Sequence, residues 1–278
     1  MYDYLHDAGY TLKLVHPAGV ADMKKMSKKT DKTDATLIAD LLRTNMLPEA
    51  YAAPHDVRVK RQITRHRTSL TEIGTELKNK IHALLIRHGM ESPYSDTFCK
   101  SSIQYLRSLD LPACDRHEMD QYLDIIELIK SKIEDTNKCI EPIAGDDPAI
   151  RLAMTMPGMG HFAATSFVAE VGDIRRFKDA YHLAGFTGLV PRVHQSGNTC
   201  KLGSITKHGN RGLRWIMVQA ANVAVQHDHY LKNVYLKLLG KKGHSKAVTA
   251  IARRMVTYLY AMLTHNIPYH ALQIHKAT

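Results

Sequence analysis

The sequence predicts a mainly α-helical protein with more than one globular unit. Two long segments, residues 59–86 and 122–140, repeat apolar residues every three or four positions, as amphipathic helices do. A third segment, residues 10–17, alternates apolar and polar residues as a strand does. Because the chain has 278 residues and is 44% hydrophobic, we expect two or three separate cores.

Charge and cysteine content narrow the class of protein. The chain has 38 Lys and Arg against 27 Asp and Glu, which favours a nucleic acid as partner. The four cysteines form no Cys-x-x-Cys pair, which argues against a zinc knuckle or a disulfide framework. No apolar run reaches the roughly 20 residues of a membrane span, and the N-terminus has no signal peptide. We therefore expect a cytoplasmic protein with no membrane partner.

The N-terminal segment predicts one strand without neighbours. Residues 1–9 are typical of a short helix that ends at Gly9, and residues 10–17 of a strand that ends at Pro17. A single strand cannot form a sheet, and residues 31–145 have helical patterns. We therefore expect this segment to be truncated, without the strands that would complete a sheet.

Two aspartates, Asp31 and Asp34, stand at the start of the next predicted helix. Their spacing places both carboxylates on one helix face, where they could share a divalent metal ion. Acidic residues in a first turn are also favoured by the helix dipole alone. The pair is therefore either half of a metal site or a helix start.

The long helix at residues 59–86 carries an apolar seam of the coiled-coil type. Leu70, Leu77 and Leu84 recur at sevens after Ile63, and the seam also includes Val59, Ile73 and Ile81. The other faces carry a group of basic residues: Arg58, Lys60, Arg61, Arg65 and Arg67. This basic group is either a contact for a phosphate backbone or a solvated helix face.

A second apolar seam runs from Tyr122 to Ile140, after a loop region at residues 91–115. The two seams predict an antiparallel hairpin or a pairing between subunits, which would make a homo-oligomer. Residues 141–148 are interpreted as a linker or turn, and they place a domain boundary near residue 145.

Residues 156–160, Met-Pro-Gly-Met-Gly, lie between two apolar helical segments, as in a helix-hairpin-helix. Gly158 and Gly160 would permit a tight turn whose backbone N–H groups bind a phosphate. Arg175 and Arg176 lie just beyond and would add charge. The alternative is a purely structural turn.

Residues 188–215 form the longest stretch without helical periodicity in the second half, and we interpret it as a functional loop. Ser196 lies among cations and His194, which is the setting of a nucleophile, although a Ser-Gly pair often only makes a turn. The cations assigned to phosphate binding here and at the start of the next helix are Lys201, Lys207, Arg211 and Arg214. Two further helices are predicted near residues 230–239 and 245–265.

Several motifs resemble the IS110 family of insertion-sequence transposases in order and spacing. They are Lys-Lys-Thr-Asp-Lys-Thr-Asp-Ala, Met-Pro-Gly-Met-Gly, Ala-Glu-Val-Gly-Asp-Ile-Arg-Arg-Phe, Gly-Leu-Val-Pro-Arg-Val-His-Gln-Ser-Gly and Leu-Gly-Ser-Ile-Thr-Lys-His-Gly-Asn-Arg-Gly-Leu-Arg. The resemblance covers nearly the whole chain.

The resemblance implies a recombinase with a RuvC-like, RNase H-fold N-terminal domain and a C-terminal transposase domain. It maps the last two carboxylates of a D-E-D-D set, which binds Mg²⁺, onto Asp31 and Asp34. It maps a serine nucleophile, which links covalently to DNA, onto Ser196. It also implies a guide RNA as partner beside DNA.

The chain departs from the family pattern because it begins after the motifs that carry the first Asp and the Glu. Asp3, Asp7 and Asp22 match neither. We therefore expect residues 1–52 to be a remnant of the RuvC-like domain, 53–145 a coiled-coil region and 146–278 the transposase domain. The alternatives are a non-catalytic DNA- or RNA-binding remnant, whose binding ignores Mg²⁺ and Ser196, and a structural coiled coil, which the charge disfavours.

Overall fold

The computed structural model describes residues 2–15, 19–20, 30–196 and 199–270, with residues 193–196 and 199–202 described by their backbone. The protein is mainly helical, as the sequence predicts. The chain forms two compact units, residues 1–55 and 56–278. The predicted domain boundaries near 52 and 145 stay predictions. Within the described ranges, no helix combines the length and apolarity needed to cross a bilayer.

The elements follow one another along the chain with these bounds. The helices up to the hairpin are α1 Tyr2–Asp7, α2 Asp31–Arg43, α3 His55–Arg87, α4 Lys100–Ser108, α5 Ala113–Asp146, α6 Pro148–Met154, α7 His161–Val171 and α8 Ala180–Thr187, with a 3-10 turn at Ile174–Arg176. The strands are β1 Pro191–Ser196 and β2 Thr199–Ile205, and the last helices are α9 Arg211–His227, α10 His229–Lys242 and α11 His244–His265.

The first unit contains the predicted short helix, but the predicted strand is wrong for the part that the structure describes. Residues 11–14 have no strand conformation, and Val15 makes an isolated antiparallel bridge with Glu49. Lys13 supports the bridge by an ion pair of 2.5 Å with Glu49. The rest of the predicted strand, residues 16 and 17, lies outside the described residues. Alternating side chains alone do not make a strand here, because among residues 10–15 only Val15 forms a bridge.

Helix α2 begins with a capping box, which explains why the chain turns into a helix at Asp31. The hydroxyl of Thr30 accepts a hydrogen bond from the Thr33 backbone N–H, and the Thr33 hydroxyl accepts one from the Thr30 N–H. Reciprocal caps of this kind satisfy backbone donors that a helix start leaves open. Asp31 and Asp34 therefore both lie in the first turn of a well-defined helix.

Helices α3 and α5 form an antiparallel hairpin within one chain. Near one end Arg67 Nε donates to Asn137 Oδ1 at 3.2 Å, and near the other Arg87 pairs with Asp115 at 2.9 Å. Between these points α3, α4 and α5 share an apolar core formed by Leu77, Ile81, Leu84, Leu85, Leu106, Met119, Leu123, Ile126 and Ile129. Of the two arrangements that the seams allowed, the chain itself forms the hairpin.

The buried face of α3 differs from the predicted seam in its first half. Val59 and Ile73 are 46% and 45% exposed, so their assignment to the seam is wrong. Thr64 and Gly74 are buried instead. Neighbouring elements pack closely against α3 at positions 64 and 74, and the small residues Thr64 and Gly74 fit there. Side-chain size therefore decides which residues of this part of α3 are buried.

The predicted linker or turn at residues 141–148 is wrong for residues 141–146, because α5 continues through Pro142 to Asp146. Proline in a helix interior removes one backbone hydrogen bond. The last turns nevertheless bury Ile140 and Ala144 completely, and this packing holds them helical. The break comes at Asp147, which caps α6 by accepting hydrogen bonds from two backbone N–H groups and pairs with Lys60 at 2.6 Å.

The C-terminal part packs around α11. Its core is continuous and includes side chains from α6, α7, α8, α9 and α11, among them Ile150, Phe167, Leu183, Met217 and Ile251. The predicted helices at 230–239 and 245–265 are confirmed as α10 and α11. The predicted loop is wrong for residues 191–205, which form an antiparallel two-stranded hairpin with an irregularity between Pro191 and Val193.

Candidate functional site

Ser196 occupies the turn end of the β1–β2 hairpin. It is the last residue of β1 and pairs with Thr199, the first residue of β2. In the same register His194 pairs with Lys201. Because residues two apart along a strand share a face, these four positions lie on one face of the hairpin. The hairpin therefore places the predicted nucleophile Ser196, His194 and the predicted cation Lys201 at positions on one face.

The base of the hairpin is held by the segment that follows it. Thr206 N donates to Val190 O at 2.8 Å, and Asn210 N donates to Phe186 O at 2.9 Å. Gly209 has φ +120°, and a Cβ there would lie 2.4 Å from Phe186 O. A glycine is required at this position because any side chain would collide with backbone. The strands that carry Ser196 thus start from a fixed base.

The predicted cations around the start of α9 divide into two groups. Lys207 and Arg211 are exposed, and Lys207 has a positive φ of 57°. Arg214 is half-buried, and its guanidinium donates to the carbonyl of Lys207 at 3.2 Å. Lys207 and Arg211 can therefore meet a phosphate, whereas Arg214 holds the loop that leads into α9.

A buried carboxylate, Glu170, connects three elements beneath the hairpin. Arg65 on α3 donates to both of its carboxylate oxygens, at 2.6 and 2.9 Å, and this hydrogen bond is the main reason that the pKa of Arg65 is raised. Asn210 donates its amide to the same carboxylate at 2.8 Å and caps α9 through the Leu213 N–H. Glu170 thus fixes the residue at which the hairpin segment enters α9. No local pattern points to Glu170, because its partners Arg65 and Asn210 lie far away along the chain.

Replacing Glu170 with glutamine should lower the free energy of unfolding by about 1.5–3 kcal/mol, the range for a hydrogen bond to a charged group. An amide cannot accept from Arg65 and Asn210 at once without opposing one donor. Urea unfolding followed by circular dichroism measures the change. Glu76→Gln on exposed α3 surface is the matched control and should cost less than about 0.5 kcal/mol. Equal losses for the two variants would contradict the role of Glu170.

The arginines predicted to bind nucleic acid on α3 have partners inside the protein. Arg61 donates to the carbonyls of Ala169 and Glu170, at 2.6 and 3.1 Å, at the end of α7. Helix ends leave such carbonyls without helical partners. Together with the Arg65 pair, these bonds attach α3 to α7. Arg58 is half-buried near the start of α3.

The two glycines of residues 156–160 have different environments, although the predicted turn between two helices is present between α6 and α7. Gly158 has φ +83°, and a Cβ on it would lie 2.2 Å from the carbonyl oxygen of Ala220 on α9. Gly160 is exposed, and a Cβ there would meet no atom within 4 Å. Only Gly160 stands where backbone can meet a phosphate.

Arg175 and Arg176 lie on the 3-10 turn after α7. Arg176 donates to the carbonyl of Val171 at 2.9 Å, and its guanidinium lies 4.2 Å from the centre of the Phe177 ring. Arg175 is exposed. Arg176 is exposed as well, but its Nε is already engaged by the Val171 carbonyl.

Asp31 and Asp34 belong to the first unit. Asp31 is exposed and Asp34 is half-buried. Across the part of the chain that the structure describes, no three His, Cys, Asp or Glu side chains come together as a metal site. Two carboxylates in one helical turn suit Mg²⁺, which keeps several waters and is commonly held by one or two carboxylates together with phosphate oxygens.

The charged residues are distributed unevenly along the chain, which the overall composition does not show. Residues 180–278 contain 13 Lys and Arg but a single carboxylate, Asp228. Residues 1–179 contain 25 Lys and Arg and 26 Asp and Glu. The whole excess of positive charge therefore lies in the part of the chain that carries the hairpin and α9 to α11.

Two family models match this chain. The model described as transposases of the IS116/IS110/IS902 family matches residues 150–236, which include the hairpin and α9. A transposase model of the DEDD type from IS110 elements matches residues 1–89, which include α2. Both predicted sites, at Asp31 and Asp34 and at Ser196, thus lie within matched residues.

Similarity over nearly the whole of this chain extends to two named transposases, and a shorter match extends to a third protein. The transposase of insertion sequence element IS1111A from Coxiella burnetii is 26% identical over 275 residues, covering 94% of this chain and 73% of the relative. The transposase of IS1328 from Yersinia enterocolitica is 25% identical over 278 residues, covering 95% and 80%. A pilin gene-inverting protein from Moraxella bovis is 32% identical over 121 residues, covering 42% and 38%.

Proposed function

Because the chain belongs to the IS116/IS110/IS902 family of transposases, we propose that it cuts and rejoins DNA with Ser196 as the nucleophile. The observation that carries the proposal is the placement of Ser196 at the end of β1, on one hairpin face with His194 and Lys201. A serine at the turn end of a hairpin can reach a DNA backbone while the other end of the hairpin stays fixed to the protein. The name of the Moraxella relative, a gene-inverting protein, agrees with recombination chemistry.

In the proposed reaction the Ser196 hydroxyl oxygen attacks a DNA phosphorus and forms a phosphodiester with the protein. The bond from phosphorus to the adjoining sugar oxygen breaks, and that oxygen leaves with a proton. The serine proton passes to a base, and His194 is the candidate because its register position is next to that of Ser196 on the same face. Attack by a sugar hydroxyl of another strand then restores the serine and joins the DNA.

Cations near the hairpin hold the phosphodiester in this proposal. Lys207, Arg211 and Arg192 are exposed, the first two where the hairpin segment leads into α9 and the third within β1. A negative charge develops on the phosphate oxygens during attack, and fixed cations stabilise it. Lys201, Gly160 and Arg175 extend the proposed contact with the backbone of the DNA.

Asp31 and Asp34 are the proposed ligands of Mg²⁺ in the first unit. When bound, Mg²⁺ would supply charge that stabilises phosphate oxygens. The chain's own contribution is the helix start, where the Thr30 cap holds both carboxylates in one turn of α2. The remaining coordination positions would be taken by water and nucleic-acid phosphate, as is common for this ion.

A double variant, Asp31→Asn with Asp34→Asn, should lower Mg²⁺-dependent strand cleavage by about 100-fold or more, because amides bind the ion more weakly than carboxylates. Cleavage of labelled supercoiled DNA over a Mg²⁺ titration measures the effect. Asp40→Asn on the same helix is the control and should leave the titration unchanged. Full cleavage by wild-type protein in excess chelator would contradict the metal role.

A second candidate function is nucleic-acid binding without cleavage. It is favoured by the excess of positive charge after residue 180, which suits a phosphate backbone without requiring a catalytic residue. This alternative predicts binding that is independent of Mg²⁺ and unaffected by Ser196→Ala. DNA binding without any strand cleavage, at every Mg²⁺ concentration tested, would establish it in place of the enzyme.

Two further partners belong to the proposal. A guide RNA would bind through the same cations, since they contact phosphate and not bases. A homo-oligomer would form through the α3–α5 hairpin, where Ile125 and Leu128 are 42% and 57% exposed on α5 and lie on one helix face. Sedimentation of wild-type protein and of an Ile125→Glu, Leu128→Glu variant tests the oligomer, which the variant should lose.

A further inference from the structure

Helix α10 and the start of α11 carry a dense group of exposed lysines, from the first turn of α10 to the corner between the two helices. The exposed members of this lysine corner are Lys232, Lys237, Lys241, Lys242 and Lys246. No carboxylate follows Asp228 in the sequence up to residue 278. Ordinary solvated helix faces mix charges of both signs. The lysine corner therefore differs from an ordinary solvated helix surface, because it carries positive charges without negative ones.

None of these five lysines forms an ion pair with any residue that the structure describes. Other surface lysines of the chain do so: Lys132 and Lys138 on α5 both pair with Asp135, at 3.6 and 3.7 Å. Like charges held close together repel each other. The corner thus carries an uncompensated positive charge that an anionic partner would neutralise.

Helix dipoles explain only part of this arrangement. Lys241 and Lys242 lie in the last turn of α10, where cations are favoured by the negative end of the dipole. Lys246 lies in the first turn of α11, where the dipole is positive and disfavours a cation. A role in helix stability therefore accounts for the first two lysines but not for Lys246.

A groove of about 360 Å³ lies beside the lysine corner, between α9, α10 and α11. Its polar lining comes from Asn222, Gln226, Lys232, Tyr235 and His244. The Tyr235 hydroxyl and His244 Nδ1 lie 2.8 Å apart and join α10 to α11 across the turn. Amide and hydroxyl groups next to lysines are the usual partners of phosphate and sugar oxygens in protein–DNA contacts.

We propose that the lysine corner and this groove form a docking surface for the phosphate backbone of duplex DNA, separate from the Ser196 hairpin. The proposal rests on the proposed function, since it gives the DNA of that reaction a second point of contact. Lysines contact phosphate without reading sequence. The surface would therefore hold DNA that flanks the reacting position, whatever its sequence.

The test compares two variants of equal charge change, both made in a Ser196→Ala background so that cleavage does not disturb binding. One is Lys241→Gln, Lys242→Gln, Lys246→Gln; the control is Lys130→Gln, Lys132→Gln, Lys138→Gln on α5. Fluorescence anisotropy with a labelled 30-base-pair duplex gives the association constant as a function of KCl concentration. Thermal unfolding of each variant checks that the fold is retained.

We expect the corner variant to reduce the slope of log association constant against log salt by about two to three, because each lost phosphate contact removes about 0.9. The control should keep the wild-type slope. An unchanged slope in the corner variant, or equal reductions in both variants, overturns the proposal. A reduction seen only with a duplex RNA of the same length also overturns it, in favour of an RNA surface.

The binding experiment and the cleavage experiment can fail independently of each other. A reduced slope with no strand cleavage by wild-type protein would retain the docking surface and reject the catalytic role of Ser196. Cleavage that depends on Ser196, together with an unchanged slope in the corner variant, would retain the catalytic role of Ser196 and reject the docking surface.

Discussion

Replacing Ser196 with alanine is expected to reduce DNA strand cleavage by at least about 1,000-fold, because a covalent mechanism has no path without its nucleophile. Binding of DNA should be retained, since the proposed phosphate contacts come from lysines and arginines. Rates of nicking and of strand joining on a supercoiled substrate measure the first effect. Anisotropy with a short duplex measures the second.

The matched control for Ser196 is Ser204→Ala. Ser204 is an exposed serine on β2 of the same hairpin. The control should cleave at the wild-type rate, because Ser204 lies toward the base of the hairpin and not at its turn end. Normal cleavage by the Ser196 variant, or an equal loss in both variants, would rule out a nucleophile at position 196.

Replacing Gly158 with alanine should lower the free energy of unfolding by about 3 kcal/mol or more, since backbone strain and overpacking each cost about 1–3 kcal/mol. The strain arises because φ is +83°, and the clash because the new Cβ would lie 2.2 Å from Ala220 O. That atom is helix backbone, so it cannot move away as a flexible side chain could. Urea unfolding monitored by circular dichroism measures the loss.

Gly160→Ala adds the same methyl group two residues later and serves as the control. Gly160 has φ −74° and open space around it, so the change costs only the poorer capping by alanine, about 1 kcal/mol or less. If Gly158→Ala proved as stable as Gly160→Ala, the packing of the turn against α9 would be wrong. The two variants also separate loss of stability from loss of DNA binding. Gly158→Ala should affect stability, whereas Gly160 is the glycine of the two that is placed to meet a phosphate.

The long helices could be predicted from sequence because their signals are local. The apolar spacing of α3 and α5 and the Thr-Asp start of α2 require only neighbours within a few residues. The fold class follows from these elements. Boundaries were less certain where packing overrides local preference, as at Pro142, which would ordinarily end a helix but lies within α5.

The β1–β2 hairpin could not be predicted because its strands are rich in polar residues, which give a weak strand pattern. Its stability comes instead from the pairing of the strands and from hydrogen bonds at its base, such as Thr206 N to Val190 O. The prediction of a functional segment at this place needed only the Ser-Gly pair and the surrounding cations.

The roles of the α3 arginines depend on partners more than 100 residues away. Arg65 meets Glu170, and Arg61 meets the end of α7, so charge that suggested nucleic-acid contact serves to join helices. Spacing along the sequence cannot distinguish an internal ion pair from an external one. The regional imbalance of charge after residue 180 was readable from sequence and directs attention to the C-terminal helices instead.

Mass spectrometry of a quenched reaction shows whether Ser196 forms a covalent bond to DNA. Trypsin releases residues 193–201 as one peptide, which holds Ser196 and, as an internal alternative, Thr199. We expect this peptide to carry a nucleotide, with fragment ions that place the added mass on Ser196. An unmodified peptide in a reaction that cleaves DNA, or the added mass on another residue, would contradict it.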